Sequence, residues 1–183
     1  MRGGAGHFEL DPYDLKPADN LSVAEQAAVD HYANGSAYLN ADNPAADKIR
    51  AHLDDAIDKS RLSDNARLYR GFSMDRADVE NIQPGDKVTL SPGYVSTSTS
   101  KDIARRFADD DLGGDTSVLA ELRVPRGHPA LHIPTAEVPA AELGGGQNEI
   151  LLPRNTQFHV HAMTEKSDGR YEMLASPVAD AMQ

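Results

Sequence analysis

Three short clusters put chemically active side chains at the ends of candidate strands: Arg70-Gly71, Ser96-Thr97-Ser98 and Gln147-Asn148-Glu149. Arg70 has apolar neighbours and is followed by glycine. Its guanidinium is either a surface charge or a planar cation clamping a diphosphate, with Gly71 letting a ligand approach the backbone. The hydroxyl run 96–98 ends a strand candidate, where such groups commonly cap turns or helices. Glu149 follows three glycines by two residues and opens the apolar run Ile150-Leu151-Leu152. A carboxylate at the mouth of a buried strand is unfavourable unless partnered, so Glu149 is either a solvated strand-end acid or a working one.

His159-Val160-His161 is a fourth cluster. Alternate strand residues share a face, so these imidazoles could meet a metal. No nearby Asp, Glu or Cys completes a ligand set, and the sequence predicts ordinary strand histidines and no metal site. The chain has no cysteine, which rules out disulfides and thiolate chemistry. The net charge of −11 repels phosphate backbones and anionic membranes. Cations are scattered, with Arg105-Arg106 the only adjacent pair, so nucleic acid is disfavoured as a partner. No apolar run approaches the ~18 residues of a membrane span, and no signal-peptide segment is evident at the start.

The elements that must carry these clusters fall into two textures. Residues 20–65 read as helical. Ser22-Val23-Ala24-Glu25 is a capping box, Asn34-Gly35 a stop, and Asn43-Pro44 a second start. Ala46, Ile49, Leu53 and Ile57 then recur at helical spacing. From residue 66 onward the pattern is strand and turn, with strands expected over 67–72, 87–90, 94–97, 117–124, 149–152, 156–163 and 170–175. Val118, Leu122 and Val124 share one strand face, as do Phe158, Val160 and Ala162. Residues 100–109 read as a short helix with Ile103, Ala104, Phe107 and Ala108 inward. The fold class is α+β. The domain plan is an extension over 1–19, one domain over 20–176 divided at residue 65, and a tail over 177–183.

The order Arg, then Ser-Thr-Ser, then Gln-x-Glu resembles the arginine–serine–glutamate class of mono-ADP-ribosyltransferases, which includes the C3-like and binary actin-modifying toxins. Further stretches add to the resemblance. Asp30-His31-Tyr32 with 33–43 is similar to that family's helix carrying Tyr and Asn. Tyr94 to Ser98, followed by Ala104-Arg105-Arg106-Phe107-Ala108, is similar to its hydroxyl strand and the helix after it. Glu149-Ile150-Leu151-Leu152-Pro153-Arg154-Asn155-Thr156-Gln157-Phe158 closely resembles its acid-led strand pair. The resemblance spans about 20–163. It implies N-terminal helices packed on a two-sheet antiparallel β-sandwich, with NAD as substrate in the cleft.

On that resemblance Glu149 would stabilise the oxocarbenium-like charge formed when the nicotinamide–ribose bond breaks. Ser96 would orient Glu149, with Thr97 beside it. Arg70 would bind the NAD diphosphate, and the Gly71 backbone would hold the nicotinamide amide. Phe107 matches an aromatic near the nicotinamide, or else is a core residue. Arg106 or Arg105 would reach a phosphate, or else point to solvent. Gln147 matches the position that varies with acceptor type, and glutamine there accompanies acceptors other than arginine. Gly144 stands where many C3-like members carry an aromatic, which separates this acceptor loop from theirs. The implied activity is transfer of ADP-ribose to a protein in a target cell. The context would be a bacterial or phage effector, which leaves room for an immunity or delivery partner. The alternatives are an NAD glycohydrolase and a phage structural domain without turnover.

Overall fold

The computed structural model describes residues 20–41, 43–133 and 149–178. Helix α1 (Val23–Asn34) starts where the sequence predicts, with the Glu25 amide donating to Ser22 Oγ at 3.1 Å. Helix α2 (Ser36–Asn40) follows Gly35 directly. The Ala45 amide donates to Asn43 Oδ1 at 3.0 Å, and a 3-10 turn (Pro44–Ala46) leads into α3 (Asp47–Lys59). Lys59 donates to Glu25 at 2.7 Å, tying α3 to α1 and holding the Glu25 carboxyl below its usual range.

The helices bury Ala28, Val29, Tyr32, Leu39, Leu53 and Ile57 against Leu131, Ile133 and Leu151 of the sheet. Each fully buried aliphatic contributes about 1.5–3 kcal/mol of transfer free energy. This core therefore fixes the helical layer far more firmly than the propensity of such short helices could.

Among the described residues eight strands form: β1 (Ala66–Met74), β2 (Lys87–Thr89), β3 (Val95–Ser98), β4 (Thr116–Val124), β5 (Leu131–Ile133), β6 (Glu149–Leu152), β7 (Gln157–Glu165) and β8 (Tyr171–Pro177). They are joined in the order β2-β7-β8-β4-β1-β3-β6-β5. The α+β class holds, and the sandwich is finer than expected. All eight strands are hydrogen-bonded in one series with a narrow waist, where β1 meets β3 at the single pair Tyr69↔Ser98. The β4–β8 pairing is parallel. β1 already occupies one side of β4 over nine register pairs. β8, reversed by its hairpin with β7, joins the other side running in the same direction.

The second core lies under β1, β4, β7 and β8, where Leu68, Val118, Ala120, Leu122, Val124 and Phe158 are fully buried. The expected face of Phe158, Val160 and Ala162 is interrupted. A register shift between Val160 and Ala162 turns Ala162 outward, and Met163 packs on the core in its place. Three short elements were not legible in the sequence: α2, α4 (Arg76–Asn81) and β5. Each is too brief to show a period. No helix among the described residues is long and apolar enough to cross a membrane.

Candidate active site

β1, β3, β6 and helix α5 (Lys101–Asp110) converge on a cleft of about 380 Å³. This is within the size range of ligand sites. Arg70, Ser96, Phe107, Asp110, Asp111 and Glu149 all line it. In the β3–β6 ladder Ser96 stands opposite Leu151, and Glu149 opposite Ser98. Ser96 and Glu149 are thus diagonal neighbours on one face, and the Ser96 hydroxyl donates to the Glu149 carboxylate.

Burial raises the Glu149 carboxyl above its usual range, while the Ser96 hydroxyl and the Arg70 charge pull it back. Arg70 Nη1 donates to the Ser96 carbonyl at 2.8 Å, so the guanidinium also fixes the strand that carries the serine. Its Nε is buried and has no hydrogen-bond partner. Burial draws the guanidinium below its ordinary range, opposed by Tyr32, Asp111 and Glu149. It remains a cation at any ordinary pH.

The helical layer contributes Tyr32, which burial and the Glu149 charge push up to about 12. Asn40 and Ser96 lie near enough to its hydroxyl to oppose that rise. The family-like helix was legible in the sequence, but no site role was assigned to Tyr32 or Asn40. Asp110 and Asp111 were missed as cleft residues, although the acid run 109–111 directly follows the predicted helix. The Ser73 amide at 2.7 Å and the Gly113 amide at 3.2 Å both donate to the Asp111 carboxylate, which pins the loop after α5 to β1.

Other predicted residues land differently. A side chain at Gly71 would put Cβ 1.6 Å from the Ala104 carbonyl oxygen and 2.7 Å from the Ala108 nitrogen. Glycine is required there for the close approach of α5, whatever its backbone holds. Thr97 lines the cleft, but its hydroxyl is used within the sheet, donating to the Ile150 carbonyl at 2.6 Å. Phe107 is 54% exposed, so the inward expectation is corrected. Ala104 and Ala108 make the close contact with β1, and Phe107 is left facing the cleft. Arg106 is exposed and does not line the cleft, whereas Arg105 pairs with Glu172 at 3.6 Å. Gln147 and the glycines 144–146 lie outside the described residues.

His159 is half-buried, and His161, at the bulge, is exposed with Nε2 2.6 Å from Ser176 Oγ. Among the described residues no group of three or more His, Cys, Asp or Glu could hold a metal.

The fold is that of the ADP-ribosyltransferase toxins. The chain is similar to the C3 exoenzyme of Clostridium limosum, with 21% identity, 87% of each chain covered and a TM-score of 0.66. It is similar to the Vis toxin of Vibrio splendidus, with 20% identity, 90% of this chain and 77% of that one covered, and a TM-score of 0.67. It is also similar to C3stau2 of S. aureus, solved with NAD, with 18% identity, 88% and 89% covered, and a TM-score of 0.64. No curated protein sequence matches. The model of the ADP-ribosyltransferase exoenzyme family matches residues 15–178, and the chain belongs to that family. It is an NAD-dependent mono-ADP-ribosyltransferase, with NAD as its substrate.

Proposed function

We propose that this chain transfers ADP-ribose from NAD to a protein side chain other than arginine, releasing nicotinamide. The observation that carries the chemical half of this reading is the Ser96 hydroxyl donating to Glu149 in the cleft beside Arg70. In the reaction the ribose C1′–nitrogen bond breaks and nicotinamide leaves with its electron pair. Positive charge grows on the ribose until an acceptor atom bonds to C1′ and releases its proton to solvent. Glu149, held by Ser96, stabilises that charge. The unpartnered Nε of Arg70 suits a diphosphate oxygen. Phe107 offers an exposed ring for the nicotinamide.

The acceptor half rests on Gln147. An arginine acceptor calls for a carboxylate to hold its guanidinium, whereas an amide pairs with neutral groups. The domain we assign covers 20–176, and its context is an effector acting on a protein in a target cell, alongside a delivery or immunity partner.

The test is mass spectrometry of cell-extract proteins after reaction with NAD. Modified side chains other than arginine support the reading, and ADP-ribosylated arginine overturns its acceptor half. Free ADP-ribose without any modified protein would make the enzyme a glycohydrolase. Gln147→Ala is expected to reduce transfer more than NAD hydrolysis, and equal loss of both contradicts an acceptor role.

A further inference from the structure

We propose that Asp54, Tyr94 and Arg154, none of which lines the cleft, form a clamp that positions the Ser96–Glu149 pair from behind. The inference rests on reading that pair as the reacting centre. Tyr94 immediately precedes β3, two residues before Ser96. Arg154 follows β6 by two residues, in a turn that Asn155 closes with φ of 60°. Because Val95 stands opposite Leu152, these two residues emerge at the same end of the β3–β6 ladder.

Asp54 of α3 holds both. The Tyr94 hydroxyl donates to Asp54 Oδ1 at 2.7 Å, and Arg154 donates from Nε at 3.1 Å and from Nη2 to the second oxygen. The guanidinium also lies over the Tyr94 ring, 5.6 Å from its centroid. A single carboxylate of the helical layer therefore anchors both strands that carry the pair.

The clamp connects forward to the site. The Tyr94 amide donates to Asn40 Oδ1 at 3.1 Å. Its ring meets that of Tyr32 edge-on, with centroids 5.9 Å apart. The Tyr32 side chain in turn faces Asn40 and Ser96, close enough for both to influence its hydroxyl. A shift of Tyr94 is thus transmitted to the Ser96 hydroxyl by the backbone of β3 and by the Tyr32 ring.

Two features assign the clamp to positioning rather than to holding the fold. The Asp54 and Arg154 side chains are each 36% exposed, and ion pairs in contact with water contribute little to stability. The Tyr94 hydroxyl also has the Arg50 carbonyl within 3.1 Å, so it keeps an acceptor if Asp54 is neutralised.

The test is steady-state NAD hydrolysis by Asp54→Asn and Tyr94→Phe, each alone and combined with Ser96→Ala, with thermal midpoints measured in parallel. Small displacements of a reacting group cost large factors in rate. Each single variant is expected to lose about tenfold in kcat, with KM for NAD within about twofold. In the Ser96→Ala background Tyr94→Phe is expected to cost less than about twofold, because its route to Glu149 runs through β3 and Ser96, whereas Asp54→Asn, which also releases Arg154 and β6, keeps part of its loss. Arg154→Lys, which keeps a cation on Asp54, is expected to recover most of what Arg154→Ala loses.

Unchanged kcat in both single variants, or the same fold-loss of Tyr94→Phe in both backgrounds, overturns the clamp. If Asp54→Asn does not fold, Tyr94→Phe decides, since it removes only a hydroxyl. Full activity in Ser96→Ala alone would sink the reading of the reacting centre, and the clamp with it. That outcome is distinct from additive losses, which sink the clamp only.

Discussion

Ser96 and Glu149 are 53 residues apart in sequence, yet the serine hydroxyl donates to the glutamate carboxylate across the β3–β6 ladder. The hydrogen bond opposes burial, which by itself raises the carboxyl above the usual carboxylate range. Activity that needs ionised Glu149 should therefore fall on acidification with a midpoint above the usual carboxylate range. Removing the hydroxyl removes a lowering influence, so Ser96→Ala should move that midpoint to higher pH. A pH–rate profile of NAD cleavage checks this, and a shift to lower pH would contradict it.

Replacing the acid separates chemistry from folding. Glu149→Gln should cost about 10²–10³-fold in NAD cleavage, the scale for losing a main electrostatic stabiliser. Its folded-state pKa is raised, so the fold favours the protonated acid. The associated stability is present below about 4.5 and is lost as pH rises through the folded-state value. The glutamine variant should then match wild type near pH 4 and be at least as stable at pH 7. Thermal melts at the two pH values test this.

Arg70 is bound to the Ser96 carbonyl through one nitrogen, and its Nε is left open. Arg70→Lys keeps the charge but loses the planar set of donors. If Arg70 holds the NAD diphosphate, as proposed, KM for NAD should rise by about tenfold or more, because the open Nε donor is lost. Initial-rate kinetics over a range of NAD concentrations would show it.

At Gly71 the β-carbon of an alanine would overlap the Ala104 carbonyl. Both contacts are backbone atoms of α5, which cannot rotate away. Gly71→Ala should destabilise by about 3 kcal/mol or more, at or beyond the upper end of ordinary overpacking. Denaturant unfolding gives the value. A loss below about 1 kcal/mol would mean that α5 can lift off β1.

Phe107 gives the opposite pattern. With the residue 54% exposed, Phe107→Ala should change stability by less than about 0.5 kcal/mol, as surface positions do. KM for NAD should nevertheless rise several-fold if the ring meets the nicotinamide. Unfolding curves and kinetics on the same preparation distinguish a cleft residue from a core one.

The local events are legible in the order of the amino acids. Ser22 and Asn43 start helical turns because each side chain accepts an amide two or three residues ahead. Alternation placed Val118, Leu122 and Val124 in one core, and the order of Arg70, Ser96 and Glu149 carried the family resemblance. Tertiary structure decided how those residues act. The bulge at His161 broke the face that Ala162 was expected to share. The approach of α5 gave Gly71 its reason and turned Phe107 to the cleft. The docking of α1 and α2 brought Tyr32 beside Ser96 and Asn40 to the Tyr94 amide. Periodicity and capping are properties of a few consecutive residues, so they are legible in sequence. Contacts across 26 and 53 residues, such as Arg70 to Ser96 and Ser96 to Glu149, depend on which strand faces meet, and only the packed chain fixes that.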